Sequence, residues 1–344
     1  MRAFDETNVG SVIFMIRKVI SLVGALLLLS AIMTGCMQTG KEKTAESATP
    51  AESATNAPEV PGKLERDDSG VPMLDVYVMD TQKVERMDLE TYLMGVVAGE
   101  MKNDWPIEAL KAQAILARTY TLRFLSTKKS QHGDADISTD IEEAQAYDAD
   151  AVNDRVKQAV NETRGVVMSY QGEFPNAWFH AHAGGVTEIP TVALDYQEKD
   201  PPYLAVESSP DSDKAPDDVK NWTVTFTAAE VGKACSAVGV DTGDAKTVEV
   251  GEKGKSGRAK TLVVNGKSVS AASFRVKIGS TELKSTLIDS ITVEGGKVTF
   301  KGKGFGHGVG MSQWGAYGLA ESGATAQSIV SHYFKNVDFV GLWE

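Results

Sequence analysis

The stretch from Leu89 to Leu125, LETYLMGVVAGEMKNDWPIEALKAQAILARTYTLRFL, restricts the possible folds more than any other part of the chain. Leu89, Leu93, Val96 and Val97 fall at i, i+4, i+7 and i+8, the apolar stripe of a core-facing helix. Gly99 follows and can take a backbone conformation that ends the run. Pro106 stands where a second helix would start, because its missing N–H is not needed in a first turn. Glu108 in that turn suits the positive helix end. Lys111 and Arg118, seven residues apart, share one face of the second helix. The pattern predicts two helices with a short break, and the break carries Glu100. A carboxylate there, opposite a cationic face, is either an acid/base group or an ordinary helix-end residue beside solvated cations.

The chain has 344 residues and a formal net charge of −12, enough for one large core or for a core with an inserted subdomain. The acidic balance argues against a nucleic-acid partner, which needs a clustered basic face. It leaves open a neutral or mixed-charge polymer such as a glycan. Arg17 and Lys18 precede an apolar run, Val19 to Met33, shorter than the roughly 20 residues that span a bilayer comfortably. The run ends in Met33-Thr34-Gly35-Cys36. Residues 1–35 therefore resemble a bacterial lipoprotein signal with Cys36 lipidated; the alternatives are a plain signal peptide or an uncleaved anchor. All three put the folded part outside the cytoplasm, the first on the outer face of the membrane. One other cysteine exists, Cys235, so lipidation of Cys36 leaves no intramolecular disulfide. Residues 36–70 are rich in Lys, Glu, Ser, Thr, Ala and Pro and read as a flexible tether.

The remainder, 71–344, mixes helices and strands and reads as an α+β fold. Pro72 to Asp80 alternates like a strand, and 126–146 is a polar loop holding His132 and five carboxylates. A single histidine among carboxylates is a poor metal signature. Val152 to Thr163 predicts a helix stopped at Gly165. Val166–Tyr170 and Glu173–His182 predict a hairpin turned at Gln171-Gly172. The second strand enters His180-Ala181-His182-Ala183-Gly184-Gly185-Val186-Thr187-Glu188. His180 and His182 would share one side of it, serving either a metal or, as preferred here, the polar wall of a cleft. Thr227 caps a predicted helix, and about 222–285 is expected to form a small β-rich inserted subdomain, followed by a hairpin around Gly295-Gly296.

The tail Gly302 to Ala316 carries six glycines in fifteen residues, and Ser312, Gln313 and Trp314 lie within it. No Lys-Ser/Thr pair follows, and the spacing does not suit a dinucleotide, so this is not a phosphate loop. It reads as a tight loop bringing backbone N–H groups to a ligand, with Gln313 and Trp314 able to bond to and stack on a sugar. The alternative is that Trp314 is core and the glycines are turns.

Five pieces together resemble the stage II sporulation protein D family, the SpoIID/LytB domain. They are ETYLMGVVAGEM…WPIEALKAQAILARTY (90–120), ETRGVV (162–167), FHAHAGGVTE (179–188), SP…WTV near 209–224, and GFGHGVGMSQWGA (304–316). They stand in family order from about Pro72 to the C-terminus. The resemblance implies one main catalytic domain with a substrate cleft, in a bacterial wall protein. Members from sporulating bacteria are lytic transglycosylases that cut peptidoglycan glycan strands, favour strands stripped of stem peptides, and work with a wall amidase during engulfment. Others are described as amidase enhancers. The resemblance makes Glu100 the catalytic acid. Lys111 and Arg118 fall on positive positions the family also shows, and with the cleft and tail readings the expected substrate-binding residues are Lys111, Arg118, His180, His182, Thr187, Glu188, His307, Ser312, Gln313 and Trp314. Some members hold zinc through a histidine and two cysteines in a D-I-C-T-D…C-Q run. Here Ser138 and Ala144 stand at the cysteine positions, so neither metal nor cofactor is expected, although His132 remains.

One glutamate suffices for such a reaction. Hydrolysis of a glycosidic bond ordinarily takes two carboxylates; a lytic transglycosylase uses the substrate's own C6 hydroxyl as nucleophile. The acid must be protonated near neutrality, which burial favours and a nearby cation opposes. The expectation is that Val96, Val97, Met101 and Trp105 dominate at Glu100.

Overall fold

The structure is a computed structural model and describes residues 56–344. The signal segment 1–35 and the lipidation expected at Cys36 lie outside the described residues. Within them the α+β character is plain: helices and strands alternate through several small sheets.

Two hydrophobic clusters organise the described residues. The first gathers Leu89, Leu93, Val96 and Val97 with Leu110, Ile115 and Leu122 of the second helix, and later Ile329, Phe334 and Trp343. The helices are Leu89–Glu100 and Ile107–Thr127, with Asp88 accepting from the Thr91 N–H at the first N-cap and Pro106 at the second. The tether expectation is corrected at its end. Val60 and Leu64 are buried in this same cluster, and Arg66 bridges to Pro72, so the chain is anchored before residue 70. A sparse set of apolar residues within a polar composition is enough for that docking.

Met73–Val78 is the centre of a three-stranded sheet, antiparallel to Lys83–Asp88 and parallel to Ile137–Ser138. Lys83–Asp88, sequence KVERMD, is mostly exposed and so shows no apolar alternation. The predicted hairpin at Gln171-Gly172 shrinks to one bridge, Tyr170 to Glu173. Val166–Ser169 pairs instead with Asp338–Gly341, and Phe179–His180 pairs in parallel with Met311–Ser312. Both partners come from the far end of the chain, beyond the reach of local pattern.

The second cluster runs from Trp222 to Phe300 and includes Phe226, Leu262, Phe274, Ile288 and Val298. The expected boundary near 285 is too early. The hairpin Ile288–Glu294/Lys297–Lys303 adds its second strand to Asn221–Thr227, so these strands share one core. Thr227 forms a full capping box with Glu230 at the helix Ala228–Ala237, as its position suggested. Among the described residues no helix is long and apolar enough to cross a membrane.

Candidate active site

Glu100 is the last residue of the first helix, with Met101 capping by donating its N–H to the Val97 carbonyl. Gly99 does not end the helix. A Cβ there would lie 2.6 Å from the Tyr147 nitrogen and 2.8 Å from the Ala146 carbonyl carbon. One turn earlier, a Cβ on Gly95 would collide with the Tyr147 ring. The two glycines open a groove on the helix into which residues 146–148 settle, and the Asp148 N–H donates to the Gly95 carbonyl at 2.9 Å. That approach delivers the Ala146 N–H to Glu100 Oε1 at 2.8 Å.

The other carboxylate oxygen meets the tail. Ser312 pairs with His180 in the short parallel ladder, and its Oγ caps the helix Gln313–Glu321 by accepting from the Gly315 N–H at 3.2 Å. Gln313, the first residue of that helix, donates Nε2 to Glu100 Oε2 at 3.3 Å. Trp105 and Trp314 pack with ring centroids 4.4 Å apart, and Tyr317 closes on both. Val96, Val97, Met101 and Trp105 are all buried. Loss of hydration raises Glu100 to about 7, against the opposing pull of the Ala146 and Gln313 hydrogen bonds.

The two cations are elsewhere. Arg118 is 0% exposed and sits in the first core, not on a substrate-facing surface. Its Nε and Nη2 bind the Glu90 carboxylate at 3.0 and 2.6 Å, and Nη1 donates to the Val166 carbonyl at 2.9 Å. Glu90 Oε1 also accepts from the Gly165 N–H at 3.0 Å and from Trp343 Nε1 at 2.9 Å. A buried guanidinium needs this full set of acceptors. Lys111 is held by Glu108 at 2.8 Å and by Glu162 at 2.5 Å. Neither cation is bonded to Glu100.

The remaining predicted residues form the support behind the tail. Asp211 binds several of them: it accepts from Ser312 Oγ at 2.6 Å, from Ser209 Oγ at 2.8 Å and from the Gly185 N–H at 2.9 Å. Thr187 exchanges hydrogen bonds with Glu207. Glu188 is buried and accepts from the Ser256 N–H at 3.0 Å and its Oγ at 2.7 Å. His180 donates Nδ1 to the Val309 carbonyl at 3.1 Å, and its ring lies 5.5 Å from that of His307. His182 Nδ1 accepts from the Gly184 N–H at 2.9 Å, and His307 Nδ1 from the Val309 N–H at 3.0 Å. Burial, with nearby Arg275 and Arg258, depresses His307 to about 3, and burial, with His307 and Arg258 alongside, holds His180 well below its usual range. His180 and His182, 4% and 5% exposed, are more deeply buried than the preferred cleft-wall reading implies, and they brace the loop from beneath.

The tail glycines likewise serve packing more than an open ligand cradle. A Cβ on Gly308 would strike the Arg258 guanidinium, which donates to the Val186 carbonyl at 2.7 Å and the Ala183 carbonyl at 2.5 Å. Sequence reading passed over Arg258, lost among Gly and Lys turns, and Asp211, although Asp211 adjoins the Ser209-Pro210 pair. The zinc site of some relatives does not fit here. The His132 ring lies flat on Tyr77 at 4.6 Å, Ser138 Oγ accepts from the Asp140 N–H, and Ala144 has no donor atom.

The family profile for stage II sporulation protein matches residues 77–170, the segment that contains the helix pair and Glu100. Residues 191–310 match a domain of unknown function, DUF8618. Stage II sporulation protein D of Bacillus subtilis (strain 168) is 32% identical over 86% of this chain and 84% of its own length. Its counterpart in Bacillus amyloliquefaciens is 33% identical over 76% of this chain and 77% of its own. The chain belongs to the stage II sporulation protein D family. An amidase enhancer of Bacillus subtilis is 30% identical over 70% of this chain but only 39% of that longer protein. Membership in the stage II sporulation protein D family supports a cell-wall-related role and action outside the cytoplasm.

Proposed function

We propose that the protein is a peptidoglycan lytic transglycosylase that cleaves the MurNAc–GlcNAc bond and leaves 1,6-anhydro-muramyl ends. The observation that carries this reading is Glu100, a single carboxyl pushed up to about 7 by burial and flanked by two fixed donors. In the first step Glu100 gives its proton to the O4 leaving group as the C1–O4 bond breaks. The Ala146 N–H and the Gln313 amide then stabilise the carboxylate. In the second step that carboxylate takes the proton of the C6 hydroxyl, whose oxygen closes on C1. No water is consumed, and Glu100 ends as it began. A second carboxylate at hydrolytic spacing is not needed.

The reading includes action in wall remodelling such as engulfment during sporulation, attachment to the outer face of the membrane through Cys36, and cooperation with a wall amidase. A mass spectrum of products from purified glycan strands tests it. Anhydro-muramyl ends are expected from the wild type and none from Glu100→Gln; reducing ends formed with uptake of water would overturn it.

Similarity to the amidase enhancer favours a second reading, a glycan-binding module that stimulates an amidase. It predicts binding to strands, and stimulation of an added amidase, without glycan products.

A further inference from the structure

A cavity of about 280 Å³ opens beside the catalytic helices, lined by Tyr120, Arg123, Asn176, Trp178 and Tyr196 among others. We propose that it is a subsite for one N-acetylhexosamine ring of the glycan, with Trp178 as its stacking face. The proposal deepens the glycan-cleavage reading and takes its substrate class from it.

The wall has the chemistry of sugar recognition. Trp178 and Tyr196 meet edge to face with centroids 5.5 Å apart at 80°, a rigid aromatic corner. Half-wet aromatic rings accept the apolar face of a pyranose and the methyl of an acetamido group. Around that corner the polar groups are fixed. Arg123 donates Nε to Asn176 Oδ1 at 2.6 Å and Nη1 to the Phe174 carbonyl at 2.6 Å, leaving Nη2 outside those bonds. The Tyr196 hydroxyl donates to Glu198 at 2.8 Å. Donors and a carboxylate set against aromatic rings suit hydroxyl and amide groups better than a phosphate, which Glu198 would repel. The volume falls just below the roughly 300–1,000 Å³ of ordinary small-molecule sites, so one ring fits and a long strand must continue outside.

The position ties the cavity to Glu100. The Trp178 carbonyl accepts from the Met311 N–H at 3.1 Å, at the start of the ladder that leads through Ser312 to Gln313. Tyr120, on the second helix, lines the same cavity, and burial together with the charge of Glu100 raises its phenol. A larger cavity of about 390 Å³ beside Asp195 and Lys277 has no aromatic ring in its lining.

The test is titration of the full chain with a β-1,4-linked tetramer of N-acetylglucosamine, followed by calorimetry and by the Trp178 indole N–H resonance. The indole resonance should shift on saturation. Trp178→Ala should weaken Kd by about tenfold or more, while Trp178→Phe stays near wild type, because a stacking face is restored. Glu100→Gln should bind as the wild type does. An unmoved indole resonance at saturation, equal affinity in Trp178→Ala, or no binding up to ~10 mM overturns the subsite. If the tetramer binds through Trp178 and strands still yield no anhydro products, the cleavage reading fails and the subsite stands.

Discussion

Gln313 Nε2 donates to Glu100 Oε2 across 3.3 Å, joining two motifs 213 positions apart in the chain. The bond favours the charged carboxylate, while burial favours the neutral acid and prevails. Gln313→Ala should therefore move the basic limb of the pH–rate curve upward and lower kcat about tenfold, because the carboxylate formed in the first step loses a donor. Gln313→Glu should move that limb further by like-charge repulsion. An unmoved limb in both variants would separate Gln313 from the acid.

The pH dependence of the wild type follows from Glu100 itself. Activity should be level below pH 7 and fall about tenfold per pH unit above the folded value of about 7. Stability carries the same signature. The folded chain holds this proton more tightly than the unfolded chain, so stability falls as pH rises from about 4.5 through 7. Glu100→Gln should unfold at higher denaturant than the wild type at pH 8, by on the order of 2 kcal/mol, and show little gain at pH 4.

Arg118 should behave as a core residue. Arg118→Ala leaves the Glu90 carboxylate buried without its cation and should cost about 3–5 kcal/mol, read from chemical denaturation. Lys111→Ala removes a partly exposed pair and should cost less than about 1 kcal/mol, with KM for glycan strands unchanged. A raised KM in Lys111→Ala would return that residue to the substrate.

The His180–His307 pair predicts acid sensitivity of the opposite sign to Glu100. Both are held neutral in the fold, so the unfolded chain binds their protons first as pH drops. Stability should decline below about pH 6.5, by up to roughly 1.4 kcal/mol per pH unit for each histidine, toward the folded value near 3 for His307. His307→Gln should flatten the decline in a series of unfolding midpoints between pH 7 and 4.

Gly99→Ala tests the approach of the 146–148 segment. The added methyl must displace backbone at Ala146 and Tyr147, which should cost about 1–3 kcal/mol and draw the Ala146 N–H away from Glu100. Activity should fall more than stability alone explains, and the basic limb should move upward.

What the sequence made legible was local. The apolar stripe from Leu89 to Val97, Pro106 at the second helix start and Thr227 with Glu230 all declared themselves, because each depends on neighbours within one or two turns. Glu100 and Gln313 were singled out by motif, yet no spacing rule could say that they touch. The meaning of Lys111 and Arg118 was not legible either. Both share a face at i and i+7, but one finds Glu108 and Glu162 near the surface and the other finds Glu90 inside. Gly99 was misread as a terminator because only the fold reveals the strand of backbone lying against it. Ala146 supplies a hydrogen bond through its main chain, which no side-chain pattern records.

The indole of Trp343 completes the set of partners around Glu90, and the strand Asp338–Gly341 completes the edge of Val166–Ser169. During synthesis the helix that ends in Glu100 therefore keeps an incompletely partnered carboxylate at Glu90 until residues 338–343, about 250 positions later, are available to fold against it.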